Sequence, residues 1–385
     1  MTFDLTQEQL AIRDAARAFA ENELLPGVIE RDSKMIFPEA AVKRMGTLGF
    51  LGMRVSPEFN GSGLDMLSYV LAIEEIAKID PSSAVILSVN NSLVCKCIDC
   101  FGSEDQKRRY LPRLASGESL GAFCLSEPEA GSDASQLKTM VLEQEENYLL
   151  NGTKNWITNG GSSKIHIVFA QSDHKKRHKG IQGFIVESDW EGVEVGPKED
   201  KLGIRSSDTH SISYSNVKVP KENRLGEEGN GFNIAMRTLI EGRIGIAAQA
   251  IGIAAGAYNL AQEYAKQRIA FGKPIIDHQA ISFKLAEMAT DIEAARLLVY
   301  KAAQLIDTGQ DHEMVSSMAK LLASDVAMKH TVEAVQIHGG YGYVKEYHVE
   351  RFMRDAKITQ IYEGTSEIQR MIISRKILKR TLYAW

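Results

Sequence analysis

The sequence predicts a mainly α-helical protein with a small β domain at its centre. Three observations carry that expectation. The chain of 385 residues holds only 9 prolines, and long stretches lack both proline and turn clusters, so helices can run unbroken. Apolar residues recur at helical spacing up to about residue 120 and again after about residue 229. Between Gly117 and about Gly226 the period falls nearer to two, and turn residues crowd in. The expected division is a helical domain over residues 1–120, a β-barrel-like domain over 121–228 and a four-helix-bundle domain over 229–385.

In the first third, Thr6-x-x-Gln9 reads as a capping box that opens a helix, and Pro26 stops it near Leu25. A second helix is expected over Pro38–Leu48, then a loop from Gly49 to Asp65, then helices over Met66–Ile79, Ser82–Cys100 and Glu104–Ala115. Gly61-Ser62-Gly63 has Met66 where a third glycine would complete a dinucleotide fingerprint, so that fingerprint is absent. Asn147–Leu150, Ile165–Ala170, Gly183–Glu187 and His210–Tyr214 read as short strands of a small antiparallel sheet or barrel. The charge run from Asp173 to Lys179 suits the solvated tip of a hairpin. Long helices are expected over Phe232–Gln267, Ile276–Thr308 and His312–Gly339, with shorter ones after them. Arg243–Tyr264 is apolar nearly all round, as in a bundle core or a subunit interface.

Hydrophobic residues make up 44% and charged residues 25% of the chain, which allows a large core. The formal net charge of −5 gives no general surface for nucleic acid or other polyanions. No uninterrupted run approaches the ~20 apolar residues of a bilayer span, so no transmembrane segment is expected. Residues Met1 to Leu10 are polar and acidic, unlike a signal or Arg-rich transit peptide. The expected location is the cytoplasm, or the mitochondrial matrix for a processed form. Cys97-Ile-Asp-Cys100 is formally a CxxC, but no second pair or histidine completes a metal site. The 4 cysteines are expected to be reduced packing residues, and no metal is expected.

Several turns could carry chemistry. Near the C-terminus, Glu363 precedes Gly364, and Ser366-x-x-Gln369 reads as a capping box. Glu363 would then sit on a turn beside a helix N-terminus, where it could act as a general base or merely favour the helix dipole. Phe123 to Asp133 contains Pro128 and Gly131, which leave backbone N–H groups and the Ser126 and Ser132 hydroxyls free for a ligand's oxygens. Lys154 to Gly160 places Trp156 at a turn, either as core or as a surface for a planar cofactor. Arg268 ends a helix and could bind a phosphate in bidentate fashion. His338 reads as a packed or capping residue.

In this order and spacing the motifs resemble the acyl-CoA dehydrogenases, FAD-dependent enzymes of fatty-acid and amino-acid oxidation. The resemblance rests on Leu125-Ser126-Glu127-Pro128 with Gly131-Ser132-Asp133, Trp156-Ile157-Thr158-Asn159-Gly160, Gln267-Arg268 with Phe271-Gly272, His278-Gln279-Ala280-Ile281, Ala334-Val335-Gln336-Ile337 with Gly339-Gly340-Tyr341-Gly342, and Tyr362-Glu363-Gly364-Thr365-Ser366. It spans nearly the whole chain. It implies FAD contacts at Phe123, Leu125, Ser126, Gly131 and Ser132, and at Trp156, Ile157 and Thr158 with the indole against the isoalloxazine. Arg268, Phe271 and Gln279 match the next set, with Arg268 and Gln279 given by a neighbouring subunit. Gln336, Ile337, Gly339, Gly340, Thr365, Ser366 and Glu367 match the remaining contacts. A homotetramer, a dimer of dimers, is implied, with electron-transfer flavoprotein as electron partner.

By the same resemblance Glu363 is the base that removes the Cα proton of an acyl-CoA. The Cβ hydride goes to flavin N5 and trans-2-enoyl-CoA is formed. Some branches of the family place the base on the long helix, at the slot that is Gly242 here, with Glu241 one residue off. Ile240, Glu241, Gly242 and Arg243, with Ser132 and Gly364, match positions near the substrate, and their sequence is most like that of short-chain, butyryl-CoA members. A short branched acyl chain, enoyl-CoA reduction, an oxygen-using oxidase and a non-catalytic acyl-CoA-binding protein are the alternatives.

Overall fold

The first third of the chain folds as helices because it alternates capped, 3.6-periodic segments with short turns. The structure is a computed structural model and describes residues 4–379. Helix α1 (Gln7–Phe19) carries the expected capping box at Thr6 and Gln9, then widens into a π turn that ends at Leu24. A short α2 (Val28–Lys34) follows, too brief for its periodicity to be read from sequence. Then come α3 (Glu39–Thr47), α4 (Met66–Ala77), α5 (Pro81–Ser88), α6 (Lys96–Phe101) and α7 (Glu104–Ala115). A π segment, Val89–Cys95, joins α5 to α6. Two buried asparagines in it bind backbone rather than each other. Asn90 donates to the Leu51 and Leu114 carbonyls and accepts from the Gly121 N–H. Asn91 accepts from the Met53 N–H and donates to the Phe50 carbonyl.

The middle region has more strands than its sequence suggests: β1 (Leu120–Cys124), β2 (Met140–Glu143), β3 (Asn147–Thr158), β4 (Ser163–Gln171), β5 (Ile181–Glu187), β6 (Val193–Lys198), β7 (Thr209–Pro220) and β8 (Arg224–Leu225). They form one sheet in the order β6-β7-β3-β2-β4-β5-β8, and β1 also pairs with β4. The expectation of a purely antiparallel sheet is corrected here. β1 runs parallel to β4, with Gly121 opposite Ile165 and Cys124 opposite Val168. The reason lies in β4, which is buried on both faces. Val168 and Ala170 pack inside the sheet, while Ile165, Ile167 and Phe169 pack towards Val94, Ile98 and Leu111 of the helices.

The last third is built on α8 (Gly231–Gln267), with α9 (Gln279–Asp307), α10 (Glu313–His338), α11 (Val349–Thr359) and α12 (Ser366–Lys379). Between α8 and α9 a two-stranded ribbon, β9 (Ile269–Ala270) and β10 (Lys273–Pro274), turns at Phe271-Gly272. Two helical stretches are long and apolar enough to cross a membrane, Pro81–Phe101 and Gly231–Gln267, although neither is an uninterrupted apolar run. Of their apolar windows 78% and 83% is buried inside the protein, the pattern of core helices. Cys95, Cys97 and Cys124 are buried as expected, but Cys100 is exposed because the helix turns it outward. All four are free thiols.

One arginine joins the three regions. Arg354 on α11 pairs with Asp32 of α2 at 2.7 Å and with Glu350 at 2.5 Å, and donates to the Leu202 carbonyl in the loop after β6 at 3.1 Å. Next to it, the buried Asp355 carboxyl accepts from the Ile204 N–H at 2.5 Å and lies 3.4 Å from Arg351.

Candidate active site

The turn between α11 and α12 holds Glu363 on unusual backbone. Glu363 has φ 51° and Gly364 φ 90°, a left-handed pair that a non-glycine residue enters only when its surroundings hold it there. Lys320 Nζ donates to the Gly364 carbonyl at 2.7 Å. Gln369 Nε2 donates to the carbonyls of Gly364 and Glu363 at 2.9 and 3.3 Å. The Tyr362 hydroxyl donates to Gln249 of α8. The expected capping box is displaced by one residue. Thr365 caps α12, its hydroxyl accepting from the Ile368 N–H at 3.3 Å. Ser366 is the first helical residue, and its Oγ is buried without a partner. Gln369 reaches back to the turn instead of to the cap, because the two left-handed residues bring those carbonyls over it.

Glu363 Oε2 is buried and has no hydrogen-bond partner. Its space is provided by α8: a Cβ at Gly242 would overlap Oε2 and lie 2.8 Å from Leu93 Cδ2. Three residues along, a Cβ at Gly245 would lie 2.6 Å from Ser88 Oγ and 2.8 Å from Tyr69 Oη. Burial pushes the Glu363 carboxyl up to about 7, against the pull of Lys320 and Arg243. Arg243 is buried, with Nη1 3.5 Å from Ser317 Oγ. Glu241 points elsewhere, into an ion pair with Arg54 at 2.7 Å and towards Lys96 at 3.8 Å. These contacts tie it to the loop before α4 and to α6. Ile240 is half-buried on the same helix.

The loop after β1 is tied to β3. Glu127 accepts from the Lys138 and Thr139 N–H groups at 2.5 and 3.0 Å and from Lys154 Nζ at 2.7 Å, and Lys154 also donates to the Leu125 carbonyl. Lys154 has no solvent exposure. The Asn155 N–H donates to the Ser126 carbonyl at 2.9 Å, so the two segments read separately from sequence are adjacent. Trp156 to Thr158 is not a turn but the end of β3, where the register shifts between Lys154 and Ile157. This bulge turns Trp156, at φ 62°, outward to 61% exposure while Ile157 stays buried. Phe123 and Ser126 are half-buried, Leu125 is buried, and Gly131 and Ser132 are exposed. Nothing lies within 4 Å of a Cβ placed on Gly131. An exposed indole face for stacking, beside hydroxyls and open loop backbone for hydrogen bonds, fits a planar, oxygen-bearing ring such as that of a flavin.

A separate cluster forms at the ends of α8 and α10. Arg268, Ile337, Gly339 and Gly340 line a cavity of about 490 Å³ with Tyr264 and Tyr341. The Arg268 guanidinium lies 5.6 Å from the Tyr341 ring centroid. Phe271 stands at the ribbon tip, 98% exposed at φ 51°. Gln279, Gln336 and Glu367 are exposed, and Thr365 is half-buried. His338 is a packed residue, its Nδ1 2.8 Å from the Ala334 carbonyl oxygen and its ring stacked on Tyr264. Three residues to which sequence reasoning assigned no role shape these segments: Lys320, and the pair Lys154 and Glu127. Each acts on a segment distant in the chain, so no local pattern marks it.

The comparisons with known proteins accord with this geometry. Family models described as the acyl-CoA dehydrogenase N-terminal, middle and C-terminal domains match residues 6–118, 122–217 and 229–378. The chain is 48% identical over 379 residues to a short-chain specific acyl-CoA dehydrogenase of Clostridium acetobutylicum, covering 98% of this chain and 100% of that one. A solved structure of butyryl-CoA dehydrogenase from Megasphaera elsdenii superposes with TM-score 0.97 at 50% identity, covering 98% and 100% of the two chains. A chain in a structure reported for the electron transferring flavoprotein of Acidaminococcus fermentans superposes with TM-score 0.98 at 48% identity, covering 99% and 100%. By matched family and by identity along its length, this chain belongs to the acyl-CoA dehydrogenase family.

Proposed function

We propose that the protein is an FAD-dependent short-chain acyl-CoA dehydrogenase, forming trans-2-enoyl-CoA and passing electrons to an electron-transfer flavoprotein. The observation that carries this reading is the buried, unpartnered Glu363 Oε2, held on a strained turn in the space that Gly242 leaves. The short-chain assignment is supported by the butyryl-CoA and short-chain relatives, and the electron partner by the Acidaminococcus neighbour. We also propose the three-part division at 120 and 228, and a homotetramer.

The chemistry follows from the thioester. Its carbonyl acidifies the Cα proton, and Glu363 removes that proton with a carboxylate that burial has made more basic. The Glu363 N–H, on a turn fixed by Lys320 and Gln369, is the chain's donor to the thioester oxygen. One such donor is typically worth ~3–4 kcal/mol of transition-state stabilisation. FAD, when bound, supplies the acceptor for the hydride leaving Cβ. Its ring would be held by Trp156, Ile157, Thr158 and the Phe123–Ser132 loop, with Thr365, Ser366 and Glu367 beside it. Gln336, Ile337, Gly339 and Gly340 would hold its far end together with Phe271, and Arg268 and Gln279 would be given by a neighbouring subunit. Ser132, Ile240, Glu241, Gly242, Arg243 and Gly364 would border the acyl-CoA.

Butyryl-CoA added without oxygen is expected to bleach the flavin of the wild-type protein. Glu363→Gln, which keeps the shape and loses the base, should slow bleaching by at least about 10²–10⁴-fold with FAD content unchanged. Wild-type rates in that variant would overturn the assignment of the base.

A further inference from the structure

One buried lysine closes the Glu363 turn from α10. Lys320 has no solvent exposure, and its ammonium donates to the Gly364 carbonyl at 2.7 Å. A buried ammonium is costly unless it is paired and hydrogen-bonded, and one neutral carbonyl is a weak partner. The charged groups facing it are Glu363 from the turn, Arg243 from α8, Asp325 on its own helix and Glu367 from α12. Those facing Glu363 are Lys320 and Arg243, with the Tyr69 hydroxyl from α4 and the Tyr362 hydroxyl from the turn nearby. Among the described residues no direct ion pair joins Lys320 to Glu363. Lys320 therefore acts on this carboxylate through space and on its backbone through Gly364.

We propose that Lys320 is the positioning residue of the Glu363 turn: it holds Gly364, so that Glu363 keeps its left-handed backbone, and it places a buried positive charge facing the Glu363 carboxyl. The inference rests on Glu363 being the base. Burial of the lysine brings its own pKa down to about 8, so it still carries its charge at neutral pH. A cation beside a carboxylate favours the ionised form. Losing the cation must raise the pH at which Glu363 becomes able to accept a proton.

The test isolates proton transfer. With the flavin reduced by dithionite, butyryl-CoA can lose and regain its Cα proton but cannot give up a hydride. Exchange into D₂O, read by mass spectrometry across pH, then reports Glu363 alone. Lys320→Met is expected to slow exchange at neutral pH by roughly 10-fold and to move the acid limb upward by about one pH unit. Lys320→Gln, a neutral donor to Gly364, should recover part of the rate but keep the raised limb. Lys320→Arg should restore the limb. Glu363→Gln must abolish exchange at every pH; if it does not, the base assignment fails and the inference with it. If Glu363→Gln abolishes exchange while Lys320→Met keeps the wild-type rate and limb, only the inference fails. Folding is checked by FAD content and thermal melting. If the Met variant does not fold, the limb of the Gln variant decides. If neither folds, the role is structural and the proposal is overturned.

Discussion

Glu363, Trp156 and Phe271 all have φ between 51° and 62°, backbone that costs on the order of 1–3 kcal/mol for a non-glycine residue. All three were singled out from sequence, and each sits where the backbone departs from regular structure: Glu363 on the turn before α12, Trp156 at the β3 bulge and Phe271 at the tip of the ribbon. For Glu363 the local signal, a glycine after it and a helix cap close behind, marked a turn but left its role open between base and helix-dipole partner, and only the resemblance of the whole set of motifs singled it out. Lys320 was not legible, because it is 44 residues from the carbonyl it holds. Two outcomes are expected at this scale. With Glu363 as the proposed base, its carboxyl, pushed up to about 7 by burial, works in the ionised form, so kcat/KM should rise with pH through about 7. Gly242→Ala should displace the Glu363 carboxylate and lower the rate of flavin reduction by about 10-fold or more, with FAD content unchanged. An unchanged rate would mean that the carboxylate works from another position.

At the scale of elements, the long helices were legible through caps and periodicity. The strands were less so: β2 has four residues and β1 five, too few to establish a period, and β1 reads as apolar because both of its faces are covered. The tie between β3 and the loop after β1 was not legible, since ion pairing across 27 residues leaves no pattern. Burial raises Glu127, but Lys154 and the Thr139 and Lys138 N–H groups together hold it below the ordinary carboxylate range. The stability it contributes is therefore present above the unfolded carboxylate pKa and lost as pH falls through the folded one. Lys154→Met strands a buried carboxylate, a change worth about 3–5 kcal/mol. We expect a lower Tm and weaker FAD retention, measured by thermal melting and by flavin release on dilution.

At the scale of the molecule, Arg354 and Asp355 tie α2, the loop between β6 and β7, and α11 to one point. Sequence placed these two residues shortly before the Glu363 turn but could not show that they join regions over 150 residues apart. Asp355 is pushed up to about 7 by burial, against the pull of Arg351. Its folded pKa lies above its unfolded one, so the stability it lends is fully present at low pH and is lost as pH rises from about 4 to about 7. This opposes the trend set by Glu127. Asp355→Asn keeps the acceptor for Ile204 and removes the titration. The variant should show a flatter dependence of Tm on pH over that window, and an unchanged slope would assign the effect to another group.

The fit of Gly242 against Glu363 also makes the empty side of α8 a part of the turn opposite it. A Cβ at residue 242 would overlap Glu363 Oε2 and lie 2.8 Å from Leu93 Cδ2. The volume beside the carboxylate is therefore shared by two segments more than 120 residues apart, and a side chain added at one is felt at the other. Any change of residue 242 to a larger one requires the Glu363 side chain to move, so the two positions are free to vary only together.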